Sequence, residues 1–211
     1  MATFAKRFSV LALVLVMLFS LTACFGAGTP VATSSEEEEV AAIDKLIPSD
    51  FYGLSGYKNL TTDKTDVDEA KEDLWAQVLN NTESKGKALP DEVVDDYVNS
   101  MVKFYEEYAE KSGKSFEEYV GQSKENFVAG AEEYAKASIK EELVVKLFVG
   151  GAFEDLNDSL EGFDSYKAEL CAQLGIANEE ELVSKFGEDT LKKGFFREKA
   201  VDYVYALNTA K

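Results

Sequence analysis

The chain has 211 residues, with 22 Lys and Arg against 40 Asp and Glu, no His, two Cys and a formal net charge of −18. So acidic a surface repels phosphate backbones and anionic headgroups, which excludes nucleic acid as a partner. The missing imidazole removes the usual general base near neutral pH, the commonest metal ligand, and every catalytic triad or zinc site built on it.

The chain opens with Lys6 and Arg7, continues through an apolar run from Phe8 to Leu21, and then reads Leu21-Thr22-Ala23-Cys24. The run is too short to stay in a bilayer as a spanning helix. This order resembles the signal and lipobox of bacterial lipoproteins. The resemblance implies that Cys24 is lipidated, becomes the first mature residue, and ties the protein to the extracytoplasmic face of the cell membrane. Two or three acyl chains hold firmly where one holds only marginally. Residues 1–23 carry two basic and no acidic residues, so cleavage leaves 20 against 40 and a net charge of −20. From Phe25 to about Val40 the composition is Gly, Thr, Ser and the run Glu36-Glu37-Glu38-Glu39, which reads as an extended, self-repelling tether. The expected organisation is a signal peptide over 1–23, a lipidated cysteine and acidic tether over 24–45, and one helical domain over 46–211. With Cys24 lipidated, Cys171 has no partner in the chain, and its setting in Leu170-Cys171-Ala172 reads as that of a buried small hydrophobe.

Helices separated by short breakers account for the remainder. Thr65-Asp66-Val67-Asp68 starts one, with Leu74, Trp75, Val78 and Leu79 following. Pro90 fits the first turn of the next, along which Val94, Tyr97, Met101, Phe104 and Tyr108 recur until Gly113 stops it. Ser115 and Glu118 form a capping box on a short helix, and Ser123 or Lys124 opens a long one reaching about Val149 before Gly150-Gly151. Further helices are expected over Ser165 to Leu174 with Gly175 as cap, from Asn178 to Gly187, and over about Asp189 to Leu207. Three prolines and no sustained alternation leave no case for a sheet, so the fold class is all-α. Two helices carry more apolar surface than one seam requires. The apolar residues between Val94 and Tyr108 cover an arc of about 160° at helical spacing. On the last helix Phe196, Ala200, Tyr203, Val204 and Leu207 form one stripe, with Leu191, Val201 and Tyr205 on the other side. That helix is either sandwiched or offers a face to a partner.

Leu89-Pro90-Asp91-Glu92-Val93-Val94-Asp95, Ser115-Phe116-Glu117-Glu118-Tyr119 and Ala135-Lys136-Ala137-Ser138-Ile139-Lys140-Glu141-Glu142-Leu143-Val144 resemble, in order and spacing, the C-terminal domain of trigger factor chaperones. Tyr57-Lys58-Asn59-Leu60 and the acidic stretch after it resemble the junction into that domain, and 187–207 resembles its closing helix. The periplasmic chaperone SurA is related in architecture. The resemblance implies an elongated multi-helix bundle with projecting helical arms and a cradle that shields apolar segments of unfolded or newly secreted polypeptides. The ribosome-docking and isomerase domains of that family have no counterpart here, so neither activity is carried over. Candidate client contacts are Phe104, Tyr105, Tyr108, Phe116 and Tyr119 on the first arm, with Val201 and Tyr205 on the last helix.

Such a role needs no bond chemistry, cofactor or metal, and the chain is read as a non-enzyme. No Gly-rich phosphate loop, nucleophile elbow or thiol–imidazole pair occurs. Asp155, Asn157, Asp158 and Glu161 fall short of a calcium loop, with no Gly at the sixth position and Tyr166 at the twelfth. The alternative function is a structural or adhesive envelope lipoprotein that binds one fixed partner through the same apolar flank. The wide apolar helices also allow a homodimer.

Overall fold

A computed structural model describes residues 43–153, 156 and 158–210; Cys24, the lipobox and residues 25–42 of the tether lie outside them. The described residues are mostly helical, as the all-α reading expects: α1 (Pro48–Phe51), α2 (Val67–Asn81), α3 (Asp91–Lys111), α4 (Phe116–Val120), α5 (Lys124–Leu147), α6 (Phe163–Leu174), α7 (Glu179–Phe186) and α8 (Glu188–Thr209). Two strands of two residues, β1 (Tyr52–Gly53) and β2 (Glu83–Ser84), are too short to carry a period and leave no trace in the sequence pattern. Where length alone points to one domain, the chain forms two compact units, and it visits each of them twice. Unit I comprises residues 54–83 and 145–210; unit II comprises 43–53 and 84–144.

Unit I is organised by α2 and α8. The Asp66 carboxylate accepts hydrogen bonds from the backbone N–H groups of Asp68 and Glu69, which fixes the start of α2. Ala70, Leu74, Trp75 and Val78 then fall on one buried face. On α8 each stripe is buried in part: Ala200 and Val204 of one, and Leu191 and Val201 of the other, are in the core with Phe195, while Phe196, Tyr203 and Tyr205 are half-buried and Leu207 is exposed. Where it faces α2, the Arg197 guanidinium, itself buried, donates two hydrogen bonds to the Glu72 carboxylate at 3.2 and 2.9 Å. A planar fork on a carboxylate answers the desolvation of both charges, which a single contact would not. Near the end of α8, the Asn208 side chain accepts from the Leu60 N–H and donates to the Tyr57 carbonyl, pinning the loop before α2. A π turn (Phe148–Ala152) ends α5, with Gly151 at φ 90°, a backbone setting that side chains other than glycine rarely adopt. Phe148 is fully buried there between Trp75 and Tyr57, with ring centroids 5.6 and 5.8 Å away.

The smaller helices of unit I close around Leu182. Asn178 accepts from the Glu181 N–H to start α7, and Gly175 ends α6 in the left-handed region, as the sequence indicates. Helix α6 begins earlier than the Ser165 start expected, because Gly162 takes φ 89° and turns the chain into the helix at Phe163, which is then buried. Cys171 is a free, buried thiol in this core, beside Leu170 and Leu182.

Unit II is built from α3, α4 and the Lys124–Val144 part of α5. Val93, Val94, Val98 and Val102 of α3 pack with Phe127, Ala131, Ala135, Ile139 and Leu143 of α5. Ala131 and Ala135, four positions apart on α5, let the two apolar faces approach closely there. The capping box is present in full: the Ser115 hydroxyl accepts from the Glu118 N–H, and the Glu118 carboxylate accepts from the Ser115 N–H. The tether boundary at residue 45 is corrected here. Ile43 is only 2% exposed and belongs to this core, with Leu46 packed beside it. Burying an Ile side chain contributes about 1.5–3 kcal/mol, which outweighs the polar character of its neighbours. Phe51 enters the same core, and the Lys85 N–H donates to its carbonyl at 2.8 Å.

Candidate functional site

Five rings form a continuous chain in unit II. Tyr108 lies against Phe104 at 4.6 Å between centroids, Phe104 against Tyr105 at 5.6 Å, Tyr105 against Phe127 at 5.0 Å, and Phe127 against Phe116 at 5.3 Å. The last three contacts are edge-to-face, the arrangement that aromatic quadrupoles favour. Burial is graded along the chain. Phe116 and Phe127 are core, Tyr105 packs on the core while keeping part of its ring in solvent, and Phe104 and Tyr108 stand half-buried at the outer end. Burial also pushes the Tyr105 phenol up from its ordinary pKa, so the ring stays neutral across the physiological range.

The spacing explains this grading. Residues 101, 104, 105 and 108 recur at steps of three and four, one position round from the fully buried Val94, Val98 and Val102. A helix facing one partner has room for a single buried stripe, and the aromatic stripe beside it is left on the shoulder. Glu106, Glu107 and Glu110 flank the rings on α3, and Glu117 and Glu118 do so on α4. Two of these groups meet a cation or a cap: Glu106 pairs with Lys124 at 2.6 Å, and Glu118 belongs to the capping box. The Lys111 ammonium lies over the Tyr108 ring at 5.1 Å. On α5, exposed Val128 follows Phe127 directly.

The expected contacts therefore separate. Phe104, Tyr105, Tyr108 and Tyr119 keep accessible surface in unit II. Phe116 does not: it fills the core beneath α4, because the capping box turns the first residue of the helix inward toward Phe127. Val201 is likewise withdrawn, being 1% exposed inside unit I, where the second apolar stripe of α8 is packed. Tyr205 remains half-buried there, with the Lys71 ammonium 6.0 Å from its ring centre. Phe127 is the ring that the sequence pattern misses. Its signal is modest, a lone aromatic in the first turn of a helix whose next apolar positions, 131, 135 and 139, are buried at steps of four.

Among the described residues, no group of three or more Cys, Asp or Glu is placed to hold a metal ion, and no helix is long and apolar enough to cross a membrane. Compared with protein-family models, curated proteins and solved structures, the chain matches none.

Proposed function

We propose that the protein is a lipid-anchored extracytoplasmic chaperone of the holding type, which binds exposed apolar residues of unfolded or newly secreted polypeptides and has no isomerase activity. The observation that carries this reading is the half-buried ring row of Phe104, Tyr105 and Tyr108, set on a packed core and rimmed by glutamates. Rings anchored at one end and wet at the other offer apolar contact area with little conformational entropy left to lose. Each Leu- or Phe-sized client contact supplies about 1.5–3 kcal/mol, so a few contacts give binding that is reversible and competes with aggregation by mass action. The acidic rim keeps loaded complexes apart by charge repulsion and favours basic clients. Met101 is the lone methionine among the described residues, so tyrosine and phenylalanine carry the adaptability of the surface. Lipidation at Cys24 would hold the rings beside the membrane, where secreted chains emerge.

Phe104→Ser combined with Tyr108→Ser tests the reading, because both rings lie at the outer end and neither belongs to the buried core. The double variant is expected to keep the wild-type circular dichroism and thermal midpoint while needing several-fold more protein to suppress aggregation of a denatured client. Unchanged suppression would remove this surface from consideration. Tight binding of one folded protein, with no binding of unfolded chains, would favour an adhesive role instead.

A further inference from the structure

Residues 194, 198 and 202 of α8 lie one turn apart on a single face of the helix. At one end Gly194 meets Tyr166 of α6, whose hydroxyl sits where a side chain at 194 would begin. At the other end the Asp202 carboxylate accepts from the Lys71 ammonium of α2 at 2.6 Å. Glu198, between these two contacts, is half-buried. Charged groups reach it from all three helices: Arg197 and Asp202 from α8, Lys71 from α2, and Glu169 from α6, one turn beyond Tyr166, while Asp68 and Glu72 of α2 lie beside the two cations. Five carboxylates, Glu198 included, therefore share two cations. Lys71 is engaged by Asp202 and Arg197 by Glu72, and both cations also act on Glu198.

We propose that Glu198 is an acid-operated clasp in unit I: ionised, it holds α8 against α6 and α2 under repulsion, and protonated, it lets the three helices close. Burial, then the charges of Asp202 and Glu169, push its carboxyl up from the ordinary range, while Lys71 and Arg197 offset this only in part. In an unfolded chain the same group titrates normally. Between the ordinary glutamate pKa and the raised one the folded form holds more protons, so this group's contribution to stability falls as pH rises through that window. The penalty is fully present above the raised pKa and absent below the ordinary one. Acidification thus tightens unit I here, opposite to the usual effect of protonating a salt-bridged carboxylate. The clasp is independent of the client-binding reading and needs no ligand.

The test uses the full chain in non-ionic detergent. Glu198→Gln is expected to raise the thermal midpoint by about 2–4 °C at pH 7.5, and the difference should vanish by pH 4. In the wild type the carboxyl carbon-13 resonance of Glu198 should titrate above the ordinary glutamate range, and Glu169→Gln should move that midpoint down. Amide exchange in α6 and α8 should slow as the pH falls through the Glu198 midpoint found by that titration, after correction for intrinsic rates, in the wild type but not in Glu198→Gln. A Glu198 midpoint at or below the ordinary value, or a Glu198→Gln midpoint no higher than wild type at pH 7.5, overturns the proposal.

Discussion

A methyl group at position 194 has nowhere to go while Tyr166 keeps its hydroxyl. A Cβ built there overlaps the phenolic oxygen, whereas the ring carbon bearing that oxygen is 3.6 Å away, an ordinary contact. Gly194→Ala should therefore destabilise the protein despite the better helix propensity of alanine, by about 1–3 kcal/mol in a urea melt. Tyr166→Phe should restore most of the loss in the double variant and do little alone; additive effects would show that the two positions do not meet. Nothing in the sequence announces this contact, because a glycine inside a helix and a tyrosine on another become informative only once the helices have packed. The same holds for Arg197 and Glu72, which lie 125 positions apart in the chain. Their charges read as solvated helix faces until they are seen to be buried against one another.

Helix α4 has little length to sustain itself: five residues hold one turn, and an isolated helix of that size does not form in water. Its persistence rests on the Ser115–Glu118 box and on Phe116 beneath it. Ser115→Ala should cost about 1 kcal/mol and raise amide exchange in residues 116–120 while leaving α2 unchanged, a comparison that hydrogen–deuterium exchange by mass spectrometry can make. Boundaries of this kind were readable in advance wherever a side chain itself makes the cap. Asp66, Ser115 and Asn178 stand where side-chain chemistry puts them, and Gly175 is legible because a glycine in the left-handed setting is the common way to end a helix. The start of α6 is not legible, since Gly162 opens a helix through its backbone conformation with no side-chain cap, a place where glycine is a weak signal. Exposure was the least legible property. Phe104 and Phe116 are chemically identical, and only the packing of α4 on α5 separates the half-buried ring from the core ring.

At the scale of the molecule, both compact units are assembled from two separate stretches of chain. Residues 84–144 form a contiguous piece containing the whole ring row, yet their core is completed by Ile43 and Phe51 from the earlier stretch. Expressed alone, that piece should show no cooperative thermal transition and should bind a hydrophobic dye; adding a peptide spanning residues 43–53 should reduce the dye signal. A sharp, dye-free melt of the isolated piece would show that the earlier stretch is dispensable.

The burial of Ile43 also has a mechanical side. A pull delivered at residue 43 acts directly on the aromatic unit, since its side chain is already wedged in that unit's interior. Load delivered there would fall first on the valine and alanine seam of α3 and α5, and the ring row would feel it directly.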